Sequence, residues 1–265
     1  SDVCSSDLNL IVSGCAAVFA AGRLRDASAA ESLAASRPAP PLPDCPAPAG
    51  WQLVFADEFD GDKLDADKWQ CEAGSPGHIQ SSRWPENVVV KDGCCRLLTR
   101  KEKRGGKEWT SGHFWTRSFA PRYGFFECRM KTGGAAGLNN AFWLMADGKK
   151  DDGKKFEIDI CESHFPDKVN TNLHWWGGEH WAKSFQWKAP FDLSTRFHTL
   201  GLEWTRDELV WYFDGKQVRR QEHTICRHGA RVRFSTAVMP WAGKITDALE
   251  GTSMMVDYVR VWQRK

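Results

Sequence analysis

The string Glu157-Ile158-Asp159-Ile160-Cys161-Glu162 places three carboxylates within six residues. A β-strand sends alternate side chains to opposite faces. Glu157 and Asp159 then share one face, and Ile158 and Ile160 share the other. Strict alternation would set Cys161 beside the acids and turn Glu162 into the core, where a lone carboxylate is costly. A β-bulge, one extra residue in the strand, shifts the phase and returns Glu162 to the acidic face. Five steps along a strand separate the two glutamate Cα atoms by roughly 16 Å, less through a bulge, and long side chains leaning inward bring the carboxyls much closer. Two carboxyls about 5–5.5 Å apart suit double displacement at an anomeric carbon. One attacks the carbon; the other protonates the leaving oxygen and then deprotonates water. An aspartate between them would hold the attacking group by a hydrogen bond and help the proton affinities cycle. Taken alone, the same string also describes a solvated acidic strand face.

The elements around it read as strands. Short apolar runs alternate with turn signals: ENVVV-KDG-CCRLLTR, YGFFECRMK, FEIDICE, HTLGLEWT-RDE-LVWYFDG-KQVRR and MMVDYVRVWQ. They are β-branched or aromatic and are split by Asp-Gly and similar turns. No long stretch has helical periodicity, and no internal repeat is found. The expected fold class is all-β, an antiparallel sandwich or jelly roll over residues 51–265. A domain of that size buries roughly 70% of its unfolded surface.

Composition narrows the partner. The 265 residues are 42% hydrophobic and 26% charged, an ordinary globular balance. A formal charge of +2 gives no reason to expect nucleic acid. No apolar run reaches the roughly 18 residues of a membrane span. The 14 tryptophans against 3 tyrosines stand out, all of them between Trp51 and Trp262. An indole offers a flat apolar face and one N–H donor, which suits sugar rings; about half of the set is expected to be plain core.

The first fifty residues have a different character. Residues 1–8, SDVCSSDL, resemble translated sequencing adapter at the end of an assembled metagenomic gene. Residues 8–21, LNLIVSGCAAVFAA, read as the remains of a signal-peptide apolar region. Val18-Phe19-Ala20 would be the cleavage site. Alternatively Val12-Ser13-Gly14-Cys15 is a lipobox with Cys15 lipidated. Residues 1–21 thus read as an adapter-like artefact plus a truncated signal peptide or lipobox, and the protein is expected to be secreted, periplasmic or an outer-surface lipoprotein. Residues 22–50 are an Ala/Pro-rich linker. No CxxC pair occurs among the remaining cysteines, which speaks against zinc. Export permits disulfides. Cys161, at the expected bulge, is read as a buried free thiol, with a bridge to Cys128 as the alternative.

FEIDICE resembles the catalytic strand of glycoside hydrolase family 16 in its bulged ExDxxE form. WTSGHFWTRSFAPRYGFFECRMKT, NNAFWLMADG, FHTLGLEWTRDELVWYFDGKQVRR, MMVDYVRVWQ and WQLVFADEFDG resemble further segments of that family, in family order from residue 51 to 263. The resemblance implies a concanavalin-like β-sandwich of two stacked antiparallel sheets with a concave cleft, and retaining endo-hydrolysis of β-linked polysaccharide. Carried across, Glu157 is the nucleophile, Glu162 the general acid/base and Asp159 the assistant. Trp143 would lie in the cleft near the cleaved bond. His174 falls where the family often has a cleft histidine, and Asn87 matches an Asn that commonly touches sugar. Trp109, Trp115, Trp175, Trp176 and Trp241 are stacking candidates.

The resemblance also implies a structural calcium far from the cleft, for which Glu58, Gly93 and Asp257 occupy the matching positions. The chemistry itself needs no cofactor. A polysaccharide is the expected partner and a monomer the expected state. On substrate, β-1,3-glucan-cleaving members usually carry Trp-Pro before AFW, where this chain has Gly137-Leu138-Asn139-Asn140. That departure is more like galactan-cleaving members acting on agar, porphyran or carrageenan. The lysine-rich stretch 147–155, with Arg83, Arg117 and Arg122, would suit sulfate esters, or is a solvated loop. Two other functions share the fold: a silent carbohydrate-binding protein, which would be expected to lose one of the acids, and a transglycosylase.

Overall fold

The computed structural model describes residues 50–148 and 153–265. The adapter-like start, the expected export segment with Cys15, most of the expected linker and positions 149–152 of the lysine-rich stretch lie outside the described residues. The described chain is all-β, with three single-turn 3₁₀ segments and no α-helix among the described residues. None of its helices is long and apolar enough to cross a membrane.

Two antiparallel sheets are built from strands β1 (Trp51–Asp57), β2 (Trp69–Cys71), β4 (Val88–Lys91), β5 (Cys94–Leu98), β7 (His113–Thr116), β8 (Gly124–Lys131), β9 (Leu138–Ala146), β10 (Phe156–His164), β11 (Lys168–Trp175), β12 (Trp181–Lys188), β13 (His198–Trp204), β14 (Glu208–Phe213), β15 (Lys216–Glu222), β16 (Ala230–Val238) and β17 (Ser253–Arg264). One sheet runs β15-β14-β13-β8-β17-β5-β4, with β1 also on β17; the other runs β12-β11-β10-β9-β16-β7-β2. Short strands β3 (Ser81–Arg83) and β6 (Trp109–Ser111) pair in parallel beside them. The expected jelly roll is what forms.

Local chemistry sets the register. Asp92-Gly93 and Asp214-Gly215 all have positive φ and close the β4–β5 and β14–β15 hairpins, as a two-residue turn matched to strand twist requires. Phe114, Phe142 and Phe234 stack across neighbouring strands of the second sheet, with ring centroids 4.9–5.2 Å apart. They meet Trp69, Phe126, Trp204 and Trp211 in one buried core. Large flat rings at alternate positions supply most of what such a core buries. On β10, Phe156, Ile158, Ile160 and Cys161 all lie in that core, so the strand is anchored by its apolar side and presents its acids outward. Cys128 and Cys161 are buried free thiols. Burial pushes the Cys161 thiol up to about 12, so it stays protonated and inert.

Candidate active site

The bulge is present where Glu162 needs it. Asp159 pairs with Asn172 of β11 and Glu162 with Asn170, so three steps on β10 face two on β11. On the other side Asp159 pairs with Trp143 and Cys161 with Phe142. Ile160 and Cys161 are absorbed into the core, and Glu162 emerges on the acidic face. At this point the Asp159 carbonyl accepts from the buried Trp211 Nε1 (2.9 Å) in the opposite sheet.

Register then aligns rows of side chains on the outer face, since paired residues share a face. Met145, Glu157 and His174 form one row; Arg233, Trp143, Asp159 and Asn172 the next; Ser235, Ala141, Glu162 and Asn170 a third. A cleft of ≈ 480 Å³ runs over them, with Glu157, Asp159 and Glu162 on its floor. One amide ties the acids together: Asn172 Nδ2 donates to Asp159 Oδ2 and Glu162 Oε2, both at 2.9 Å. Asn139 Nδ2 donates to Glu162 Oε1 (2.6 Å) and Trp176 Nε1 to Glu157 Oε2 (3.1 Å). His174 Nε2 lies 3.4 Å from Asp159 Oδ2, and its Nδ1 lies 3.1 Å from His180 Nε2.

Three carboxyls in one dry place cannot all ionise freely. Burial pushes the Glu157 carboxyl up to about 8, the Asp159 charge adds to the rise, and His174 opposes it. Asp159, fully buried, is held well above the usual carboxylate range by burial and by Glu162. Burial also raises Glu162, against the pull of the Asn139 donor, His174 and Asn172. Glu157 and Asp159 are within hydrogen-bond reach of one another, so at neutral pH the group titrates as a set that shares protons. One acid held protonated beside another that can ionise is the division of labour that general-acid and nucleophilic chemistry require.

Trp143 is in the cleft, with Nε1 donating to Ser235 Oγ (3.2 Å), His113 stacked on its ring and the Arg233 guanidinium 5.0 Å from its centroid. Beside it, in the same cleft lining, stands a charged group of which the sequence singled out only Arg83. Arg83 and His113 both donate to Glu72 Oε2, at 2.8 and 2.5 Å. Although burial acts to raise it, the His113 hydrogen bond and the Arg83 charge hold Glu72 at about 2. Burial, with Arg83 adding to the effect, holds His113 neutral, at about 3.

Of the other expected residues, His174, Trp176 and Trp241 are at the site; Trp241 is exposed at the cleft edge and packs edge-on against His164. Trp115 on β7 is separated from Trp143 on β9 by Arg233 of β16, packs against His113 and Arg233, and does not line the cleft. Asn87 is a correction: it is wholly buried and donates to the Leu98 carbonyl and Thr110 Oγ1, bracing the start of β4. Trp109 is core beside Leu138, Val238 and Leu249. Trp175, one residue out of phase with His174, packs against the main core. Alternation could have found Asn172 and Asn139, which are two residues from His174 and four from Trp143 on the same faces.

The calcium expectation is also corrected. Glu58 holds Arg260 through both its oxygens at 2.8 Å, and Asp257 accepts from Arg129 at 2.7 Å. Carboxylates neutralised by guanidinium groups are poor ligands for a hard cation, and Gly93 serves the hairpin turn. Among the described residues, the group that could hold a metal is Glu157, Asp159 and His174, whose ligand atoms lie within 4.8 Å of one another.

The family model of the glycosyl hydrolases family 16 matches residues 77–260, more than half of the chain. The chain belongs to glycoside hydrolase family 16. This family-16 chain is 29% identical over 185 residues to a β-glucanase of Acetivibrio thermocellus, covering 69% of the chain and 53% of that protein. It is 26% identical over 249 residues to β-porphyranase B of Zobellia galactanivorans, covering 80% and 85%. The catalytic domain of an endo-1,3-β-glucanase (laminarinase) from Thermotoga petrophila superposes with a TM-score of 0.72 at 26% identity, over 81% of this chain and 98% of that one. The matches to two Acetivibrio thermocellus β-glucanases span about half of those proteins' length.

Proposed function

We propose that this family-16 chain is a retaining endo-β-glycanase acting by double displacement, exported to meet its polymer. The observation that carries the reading is the bulged strand that sets Glu157, Asp159 and Glu162 side by side on the floor of one cleft. Asp159 reaches Glu157 on one side and shares the Asn172 amide with Glu162 on the other. Such close linkage supports a retaining pair, since an inverting pair needs room for water between its carboxyls.

The steps follow from these roles. With the shared proton on Asp159, Glu157 is ionised and attacks the anomeric carbon while Glu162 gives its proton to the leaving glycosidic oxygen. Charge then leaves Glu157 as the ester bond forms, and Glu162, now ionised, takes a proton from water. That water attacks the same carbon, the ester breaks, and Glu157 regains its charge. Asp159 holds the shared proton against Glu157 and eases both changes. Trp143, Trp176 and Trp241 give the cleft apolar faces suited to sugar rings.

We place the substrate among β-1,3-glucans and galactans such as agar, porphyran or carrageenan. Both kinds occur among its relatives. Asn139 in place of the glucanase-type Trp-Pro, and Lys155 and Arg233 in the cleft lining, favour the galactans, whose sulfate esters would meet cations. A reducing-sugar assay of the full chain on laminarin, mixed-linkage β-glucan, agarose, porphyran and κ-carrageenan tests both statements. Glu157→Gln and Glu162→Gln are expected to lose about 10²–10⁴-fold in turnover on whichever polymer is cleaved. Near-wild-type turnover by either variant sinks the assignment. Binding without release by the unmutated protein would favour the silent carbohydrate-binding alternative.

A further inference from the structure

Four side chains from four strands form a single file of hydrogen bonds that ends on Glu162. Gln186 Nε2 on β12 donates to Asn170 Oδ1 on β11 (2.7 Å). Asn170 Nδ2 faces His164 Nδ1 on β10 (3.5 Å). His164 Nε2 faces Asn139 Oδ1 on β9 (3.2 Å), and Asn139 Nδ2 donates to Glu162 Oε1 (2.6 Å).

The direction of the file is fixed by elementary chemistry. An amide nitrogen only donates, so His164 Nδ1 must accept and its proton must sit on Nε2. Nε2–H can then donate only to the carbonyl end of Asn139. That choice turns the Asn139 NH₂ toward Glu162; a flipped amide would set oxygen against carboxylate and nitrogen against N–H. His164 must be neutral throughout, and burial with the nearby Lys168 charge does lower it to about 4. Its ring is also braced edge-on by Trp241.

We infer that His164, acting through Asn139, is a positioning residue for Glu162: it locks the amide that aims Glu162 Oε1 and favours its ionised form. The inference rests on the proposed acid/base role of Glu162. The titratable groups facing Glu162 are Asp159 and Glu157 on its own strand and His174 on β11. From β9 it receives the uncharged Asn139, and Arg233 of β16 faces Glu157 and Glu72 instead. None of these touches the Asn139–His164 link, so cutting that link leaves the charges around Glu162 in place. Losing an N–H donor disfavours the carboxylate, and the proton on Glu162 should be held to higher pH.

The test needs no substrate. With ¹³C-labelled glutamate side chains in the full chain, the Glu162 signal is identified by its loss in Glu162→Gln and followed through pH. In Asn139→Ala and His164→Phe its midpoint is expected to rise by roughly 0.5–1 pH unit. His164→Gln, which keeps an N–H donor for Asn139, should return toward wild type. Asn170→Ala, at a half-buried position one step further back, should give a smaller rise and guards against a variant that does not fold. On the polysaccharide cleaved, the alkaline limb of kcat/KM should move up with the midpoint. In the same variants kcat should fall about tenfold with KM little changed. An unmoved midpoint in both Asn139→Ala and His164→Phe overturns the inference. If Glu162→Gln keeps its turnover, the acid/base assignment fails instead, while the midpoints still decide the hydrogen-bond file.

Discussion

At the scale of the residue, the cleft floor is defined by how hard it is to charge. Glu157 has a folded pKa of about 8 against 4.5 for the free group, so the native state binds more protons than the unfolded one between those values. Stability is then complete below about pH 4.5 and is lost as pH rises through about 8. Glu157→Gln removes that loss. The variant is expected to match wild type at pH 4 and to be more stable at pH 9 by on the order of a few kcal/mol. Thermal melts across that range check it, and a constant difference in Tm at all pH values would show that Glu157 carries no such strain. The same substitution costs about 10²–10⁴-fold in turnover on the proposed mechanism, so stability and activity move in opposite directions at one side chain.

At the scale of the element, the deciding feature is one extra residue in β10. The bulge was legible because six residues contained a contradiction: strict alternation buried Glu162 with no partner. What was not legible was the device that stabilises the bulge, because Trp211 comes from β14, fifty-two positions away in the facing sheet. Trp211→Phe keeps one aromatic ring but loses the pyrrole part of the indole, and leaves the buried Asp159 carbonyl without that N–H. The expected cost is about 1–3 kcal/mol, with a loss of turnover larger than the stability change explains, since Asp159 itself is displaced. Denaturant titration beside kinetics separates the two; full activity in a destabilised variant would make the Trp211 bond purely structural. Phase also accounts for the misread aromatics. His174 and Trp175 are neighbours, so only one can face the cleft. Trp109 and Asn87 sit in short segments whose direction depends on long-range packing, and spacing alone gave them no phase.

At the scale of the molecule, strand number, hairpin turns and the order of segments were readable because β-branched and aromatic runs and Asp-Gly turns are local. Which charges meet between strands far apart in sequence was not, and the carboxylates Glu58 and Asp257 show why. Glu58 and Asp257 look like hard-cation ligands in sequence, yet the fold supplies Arg260 and Arg129 opposite them. Arg260 is almost wholly buried, stacked 3.7 Å over Tyr258 and held at both ends of its fork by Glu58. This pair fastens the segment after β1 onto β17, the twelve-residue strand that borders β1, β5 and β8. A guanidinium left there without its carboxylate would be a buried, undercompensated charge. Glu58→Gln is therefore expected to cost about 2 kcal/mol and to lower Tm by roughly 5 °C. A calcium site at the same carboxylate predicts something different: wild type would melt higher in calcium than in chelator, and Glu58→Gln would erase that difference. Melting both proteins in millimolar calcium and in chelator separates the two, because an arginine needs no metal to hold Glu58, and wild type should then melt at the same temperature in either.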